Sequence, residues 1–394
     1  MSTSYSVVVI GQGQVGRAIA TVCHDAGHAV TGIDIDPGAR DLACRNASYA
    51  VEPSIPSSTF DVLILAVQTG LSEGVPDLDP LERAAAGLAA HIGPNSLVIN
   101  ESTVYPGATE DIVLRAIMRA GAPSSFHLAY SPERIDPGNP TWTITNTPKL
   151  VAGATPLALE AAIAFYSTFV ERVQPVATIR EAEFAKLVEN AFRAVNIAFA
   201  NELAGTADAL GIDISNVLDA AATKPFGYLD FRPGPGPGGH CIPVDPEYLA
   251  WRSRGSGSGM PLLESALASS AAMPGRIAQH AVDYLAGRSS PRVLLLGVSH
   301  KRNEEDMRGA PSIEIARRLL RAGATVFAVD EVIDPSRSPA DVVMLSRREA
   351  SGRRFDLAIH LTDHSQPAVS EVVPRGTPIL DARRTLRSHP DVIG

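Results

Sequence analysis

The residues of this chain best suited to covalent chemistry gather around one thiol. Cys241 lies in the stretch Gly234 to Pro246, GPGPGGHCIPVDP, with His240 before it and Asp245 four residues after it. Glycine adopts turns closed to other residues and proline removes backbone donors, so this stretch is expected to be a loop, ordered or floppy, and neither helix nor interior strand. A structural cysteine is usually buried in an apolar element, whereas a working thiol is reachable where its thiolate can be stabilised. Taken alone, the stretch leaves both a catalytic thiol and a loop cysteine without a role open.

Three further groups could work with a thiol. In EAEFAKLVENAFRAVNIAFANEL, Lys186 and Asn190 are four residues apart and share a helix face, with Arg193 close to it. They are either solvated surface or a cation and an amide aimed into a cleft, which is an oxyanion-binding arrangement opposite a reacting carbonyl. AYSPERIDPGNP sets Glu133 and Arg134 between prolines, as a charged surface turn or as part of a site. Lys301, Arg302, Asp306 and Arg308 follow the apolar run PRVLLLG. Cations at the carboxyl end of a parallel strand suit a diphosphate, and an ordinary charged loop is the alternative.

These residues need a scaffold, and its signals are regular. SVVVIGQGQVGRAIATVCHDAGHAVTGIDID predicts a strand from Ser6 to Ile10, a helix to about His24 and a strand from Ala29 to Asp34. Gly11, Gly13 and Gly16 form GxGxxG in the turn: the first lets the chain turn, the second admits a pyrophosphate, and the third permits close helix packing. Asp34 is placed to accept both ribose hydroxyls and to repel a 2′-phosphate, which points to NAD. DVLILAVQT from Asp61 and SLVINEST from Ser96 are apolar enough to be buried parallel strands.

From Ile179 some thirty residues run with helical periodicity and no proline, a spine for joining domains or packing on a partner subunit. Trp251 to Gly259, WRSRGSGSG, is expected to be a polar loop or linker. A helical stretch to about Ala286 then leads into a second strand, loop, helix and strand unit. The expected fold is therefore α/β, with two Rossmann-like doubly wound parallel-sheet lobes joined by a helical central region. The expected domains are 1–178 for NAD, 179–286 with the spine helix and the cysteine loop, and 287–394 as the second α/β lobe, with cations suited to a diphosphate.

Composition agrees with this class. The 394 residues are 45% hydrophobic and 20% charged, with a net charge of −9 that argues against a nucleic-acid surface but not against a small anionic ligand. Cys23, Cys44 and Cys241 have no metal-ligand spacing, so no metal site or disulfide scaffold is expected, and a reducing cytoplasm fits best. No signal peptide and no bilayer-spanning run is expected.

Taken together, GQGQVG, ESTVYPGATE, YSPERIDPGNP, EAEFAKLVENAFRAVNIAFANEL, PGPGPGGHCIPVDP and LGVSHKRNEEDMRGAPS resemble, in order, the motifs of the nucleotide-sugar 6-dehydrogenases. The resemblance implies oxidation of a sugar C6 alcohol to a carboxylate with two NAD⁺, as in polysaccharide biosynthesis. It implies Cys241 as the nucleophile that captures the C6 aldehyde as a thiohemiacetal and carries it to a thioester. Lys186 and Asn190 would stabilise the oxyanion, Asp245 and Thr103 would act in proton transfer, and Glu133 would serve as base in hydrolysis.

By the same resemblance NAD would meet Gly11, Gly13, Gln14, Val15, Gly16, Asp34, Thr69, Thr103 and Arg308. The sugar nucleotide would meet Glu133, Arg134, Lys186, Asn190, Arg232, Gly238, Lys301 and Arg383. The long helix would form a homodimer. YSPER with DPGN and TKPFG resembles most the branch oxidising UDP-N-acetylglucosamine, ahead of UDP-glucose and UDP-N-acetylmannosamine. An atypical nucleotide-sugar oxidoreductase and a non-enzymatic nucleotide-sugar-binding protein are the alternatives. The chain departs from the family at Gln12 and Gln14, where apolar and aromatic residues are usual, and in a short stretch 35–60, where a shortened helix is expected.

Overall fold

The computed structural model describes residues 4–136, 139–339, 341–365, 369–386 and 389–393. The chain divides into two compact units, Met1–Glu189 with Tyr248–Ser258, and Asn190–Glu247 with Gly259–Gly394.

The first unit opens with β1 (Ser6–Ile10), α1 (Gln14–Asp25), β2 (Ala29–Ile33), α2 (Pro37–Asn46), β3 (Ala50–Glu52) and β4 (Phe60–Leu65). After a small hairpin, β5 (Gly70–Ser72) and β6 (Val75–Asp77), come α3 (Asp79–Leu88) and β7 (Ile92–Asn100). A π-helical turn at Thr109–Leu114 leads into α4 (Arg115–Arg119), followed by β8 (His127–Tyr130), β9 (Lys149–Gly153), α5 (Pro156–Tyr166) and β10 (Val173–Pro175). Among the described residues the sheet order is β10-β9-β8-β7-β4-β1-β2-β3.

Val7, Val8 and Val9 of β1 are fully buried, as a central strand covered on both faces requires. One expectation needs correcting: the sheet is not wholly parallel, because β8 and β9 pair antiparallel. The connection between them holds the Glu133 segment, so the reversal of direction occurs at a proposed site loop. The stretch 35–60 keeps both a helix, α2, and a paired strand, β3. Asp36 caps α2 by accepting from Gly38 N, and Pro37 takes the first helical position, where its missing donor costs nothing.

The long spine helix is present as α6 (Ile179–Leu210). It contributes residues to both units, and α7 (Ile214–Ala222) follows it. The expectation that Gly234 to Pro246 contains no helix is corrected at its second half, because α8 (Cys241–Gly255) begins at the cysteine itself. The first four N–H groups of a helix have no intrahelical partner, so Pro243 sits in its first turn without breaking anything. Only Pro246 lies in the helix interior. Trp251 to Gly255, expected as linker, is likewise helical and belongs to the first unit, where Trp251 packs on Tyr105 with ring centroids 5.1 Å apart.

The second unit continues with α9 (Pro261–Tyr284), β11 (Arg292–Leu296), α10 (Pro311–Arg321), β12 (Thr325–Val329) and β13 (Val343–Met344). It ends with α11 (Arg347–Ser351), β14 (Leu357–His360), α12 (Val369–Val372), β15 (Ile379–Asp381) and β16 (Val392–Ile393). Its sheet, β13-β12-β11-β14-β15-β16, is parallel throughout. In both sheets the chain leaves the first strand, moves outward, and returns on the opposite side at β4 or β14. That reversal opens a crevice at the strand ends where ligands bind in open α/β sheets.

Candidate active site

The first crevice is built by contact at backbone distance. A Cβ on Gly11, whose φ is +94°, would lie 2.4 Å from Ala66 O, and one on Gly16 would lie 1.8 Å from Gly11 O. Gly13 instead faces open space, and it starts α1 with no side-chain cap and no acid in the first turn. The uncapped donors and positive end of a 12-residue helix therefore face a gap that a Cβ would partly fill, which fits a pyrophosphate. Gln14 and Val15 are the first residues of that helix.

Asp34 accepts from Gln12 N at 2.7 Å and from Asp36 N at 2.9 Å, which fixes its carboxylate at the crevice rim. These groups fit NAD. The unusual Gln12 is fully buried and satisfied: its amide donates to Val9 O at 3.0 Å and accepts from Tyr49 at 2.9 Å. Gly32 makes room, since a Cβ there would lie 2.6 Å from Gln12 Cδ.

The same unit gathers Thr69, Thr103, Glu133, Arg134 and Lys186. Thr69 Oγ1 donates to Thr103 O at 2.7 Å, so it holds the threonine segment. Lys186 Nζ donates to Glu133 O at 2.6 Å and lies 3.3 Å from Glu133 Oε2, both side chains being nearly buried. Glu133 also accepts from Ile135 N. Arg134 is engaged in holding its own loop: it donates to Pro148 O at 2.6 Å and pairs with Glu189 at 2.8 Å.

The second unit gathers the thiol and its neighbours. Cys241 is exposed at the first position of α8, where the positive end of the helix dipole favours negative charge. Asp245, one turn on, is buried and accepts from Asn190 Nδ2 at 2.5 Å. Arg193 donates to Asn190 Oδ1, so the orientation of the amide is fixed from both ends.

The glycines before the cysteine are required by proximity. A Cβ on Gly238 would lie 2.6 Å from His300 Cβ, and one on Gly239, at φ +78°, would lie 2.7 Å from His300 Nε2. Gly239 N also donates to Arg308 O at 2.9 Å. The loop is thus an ordered one, pressed onto the segment after β11.

Of the cations expected to hold a sugar nucleotide, Arg383 is largely buried, which holds its guanidinium below the usual arginine range, and its Nη1 packs 3.4 Å from a Cβ position on Gly234. Lys301 lies 3.5 Å from Glu304. Arg308 is bidentate to Asp306, and Arg232 pairs with Asp230 and Asp219.

Two buried groups escaped sequence reasoning. Glu183 of α6 accepts from Gly107 N at 2.5 Å and Thr109 N at 2.8 Å; burial pushes its carboxyl up to about 7 despite these donors. Lys149 and Glu101 form a buried ion pair at 2.6 Å. No group of three or more metal-ligating side chains occurs among the described residues, and no described helix is long and apolar enough to cross a membrane.

Comparison with known proteins gives three profile matches to the UDP-glucose/GDP-mannose dehydrogenase family. Its NAD binding domain matches residues 43–170, its central domain 180–271 and its UDP binding domain 294–388. The NAD binding domain of 3-hydroxyacyl-CoA dehydrogenase matches residues 6–63.

An NDP-N-acetyl-D-galactosaminuronic acid dehydrogenase of Ralstonia nicotianae is 31% identical, over 92% of this chain and 91% of its own. A UDP-N-acetyl-D-glucosamine 6-dehydrogenase of Pseudomonas aeruginosa is 33% identical, over 86% of this chain and 84% of its own. The structure of a UDP-glucose dehydrogenase from Pyrobaculum islandicum superposes with a TM-score of 0.87 at 26% identity, covering 100% of this chain and 98% of its own.

Proposed function

The chain belongs to the UDP-glucose/GDP-mannose dehydrogenase family, NAD-dependent oxidoreductases of nucleotide sugars, and from that premise we propose that it oxidises the C6 alcohol of a UDP-sugar to a carboxylate in two steps on Cys241. UDP-N-acetylglucosamine is the leading substrate. Both curated relatives described above are named for N-acetylated sugars, which supports an N-acetylhexosamine over glucose.

The observation that carries the reading is the exposed thiol at the start of α8 with Asp245 and Asn190 hydrogen-bonded one turn away. A binding protein has no use for a thiol so placed. NAD supplies the hydride acceptor, once for the alcohol and once for the thiohemiacetal. Cys241 adds to the C6 aldehyde, so the intermediate stays bound and the second oxidation leaves a thioester rather than a free aldehyde. Asn190, fixed by Arg193, and Lys186 are assigned to stabilise the developing oxyanion. Asp245 and Thr103 handle the alcohol and hemiacetal protons, and Glu133 draws a proton from the water that cleaves the thioester. The sulphur leaves as thiolate and the sugar as carboxylate.

Lys301, Arg383, Arg232 and Gly238 are assigned to the sugar nucleotide, with Arg308 beside the cofactor. Regions 1–178, 179–286 and 287–394 act as the NAD, central and sugar-nucleotide parts. Exposed Phe184, Val188, Phe192 and Phe199 along α6 support a homodimer through that helix.

The test is to supply NAD⁺ with UDP- and GDP-sugars and count NADH per sugar consumed. Two NADH and a uronate from UDP-N-acetylglucosamine are expected. One NADH would mean that oxidation stops at the aldehyde, and none with any sugar despite binding would mean a non-enzymatic role.

A further inference from the structure

Beneath the Glu133 loop lies a polar cluster with no place in the chemistry above. Lys149, the first residue of β9, is 4% exposed, Glu101 just after β7 is 1% exposed, and Tyr166 at the end of α5 is fully buried. Lys149 Nζ donates to Glu101 Oε2 at 2.6 Å and to Pro132 O at 3.1 Å. Tyr166 donates to Glu101 Oε1 at 2.5 Å, and burial together with the Glu101 charge keeps that phenol protonated. A buried ion pair is often replaceable by apolar residues without loss of stability, so burial alone does not explain one.

Its placement offers an explanation. Glu101 stands two residues before Thr103, and Pro132 stands one residue before Glu133. The pair therefore ties together the two segments that carry the proposed proton-handling residues. A small cavity of about 10 Å³, bounded in part by Glu101, Glu133, Thr147 and Lys149, adjoins the loop. Neighbouring polar ties act alongside: Ser131 Oγ donates to Leu150 O at 2.7 Å and Arg134 to Pro148 O. Of these, only Lys149 joins the loop to the Thr103 segment through a charge.

We propose that Lys149, held by Glu101 and Tyr166, is a positioning residue that sets Glu133 for thioester hydrolysis relative to Thr103. This rests on the reaction proposed above. Displacement of a catalytic group by about an ångström costs on the order of a hundredfold, and the loss should fall on the hydrolytic half.

The test compares Lys149→Met, Lys149→Arg and the neutral pair Lys149→Met/Glu101→Gln with the wild type. In Lys149→Met a rapid burst of two NADH per thiol is expected to persist while steady turnover falls by about ten- to a hundredfold. An acyl adduct should accumulate on Cys241, and hydroxylamine, which cleaves thioesters without a protein base, should restore turnover. Lys149→Arg should recover much of the rate. The neutral pair, with no buried charge left alone, should fold like the wild type and still lack the hydrolytic rate.

Amide exchange of residues 101–105 and 131–136 should rise together in Lys149→Met, a result readable even if no sugar is turned over. Equal loss of burst and steady rate, a wild-type hydrolytic rate in the neutral pair, or unchanged exchange in both segments would overturn the proposal. Absence of NADH in the wild type would instead overturn the reaction and leave the exchange result to decide the positioning claim.

Discussion

The carboxyl ends of β1 and β11 carry the same turn put to different uses. Gly11 N donates to Ile33 O at 2.8 Å and Gln12 N to Asp34 Oδ2 at 2.7 Å; Gly297 N donates to Val329 O at 2.9 Å and Val298 N to Asp330 Oδ2 at 2.7 Å. Gly11 presses on Ala66 after β4, as Gly297 presses on Thr362 after β14. What differs is the carboxylate. Asp34 stays at a partly exposed rim, whereas the Asp330 side chain is fully buried under His364 at 3.1 Å. The first turn also enters α1 within a few residues, while the second inserts residues 298–310, with Lys301 and Arg308, before α10. One backbone device thus makes two crevices, one leaving its acid at the rim and one sealing its acid and offering cations.

The largest effects should come from the shared device. Gly11→Ala and Gly297→Ala each force a Cβ to 2.4–2.5 Å from a neighbour at positive φ, and each should cost about 3 kcal/mol or more in denaturant unfolding. If only one did, the two turns would not be equivalent.

Next come the acids. Burial alone would raise the Asp330 carboxyl, but hydrogen bonds from His364, Ser299 N and Val298 N hold it down at about 2. Its folded value lies below the unfolded one, so its contribution of about 2 kcal/mol is present above about pH 4 and is lost as pH falls through the folded value. Asp330→Asn should therefore lower stability at neutral pH and converge with the wild type in acid. Asp34→Asn should barely move stability and should raise the KM for NAD⁺ about tenfold, a loss typical of one charged hydrogen bond.

The smallest effect separates the units by pH. Buried Asp381 is, like Asp330, held low by a histidine, His360, whereas buried Glu183 in the first unit has only uncharged donors, from Gly107 and Thr109, and burial pushes it up to about 7. A carboxyl raised above its unfolded value favours the fold when protonated, so this part of the stability is lost as pH rises through about 7. Glu183→Gln should flatten the melting profile between about pH 5 and about pH 8, the variant gaining on the wild type toward the alkaline end. A profile parallel to that of the wild type would remove Glu183 as the titrating group.

Much of this scaffold is legible in the sequence, because β1–α1–β2, α6 and β11–α10–β12 are specified by local periodicity and turn chemistry. Cys241, Asp245 and Asn190 could be singled out as candidates from their types and spacing. The start of α8 was hidden because prolines that break a helix interior are harmless in its first turn. Glu183 and the Glu101–Lys149–Tyr166 cluster carry no spacing signal; their partners lie far apart in the chain, and only tertiary burial makes them polar groups of consequence. The antiparallel β8–β9 pair was missed for the same reason, since strand direction is set by the long connection between them.

The central claim is that Cys241 carries the sugar. The direct measurement is to quench the protein during turnover of UDP-N-acetylglucosamine and map the adduct by mass spectrometry, with exposed Cys44 and buried Cys23 as internal controls. Burial pushes the Cys23 thiol up, so it should stay unmodified. The account predicts a uronyl thioester on Cys241 alone. Two NADH per sugar with no adduct on Cys241, or an adduct on Cys44 instead, would contradict it.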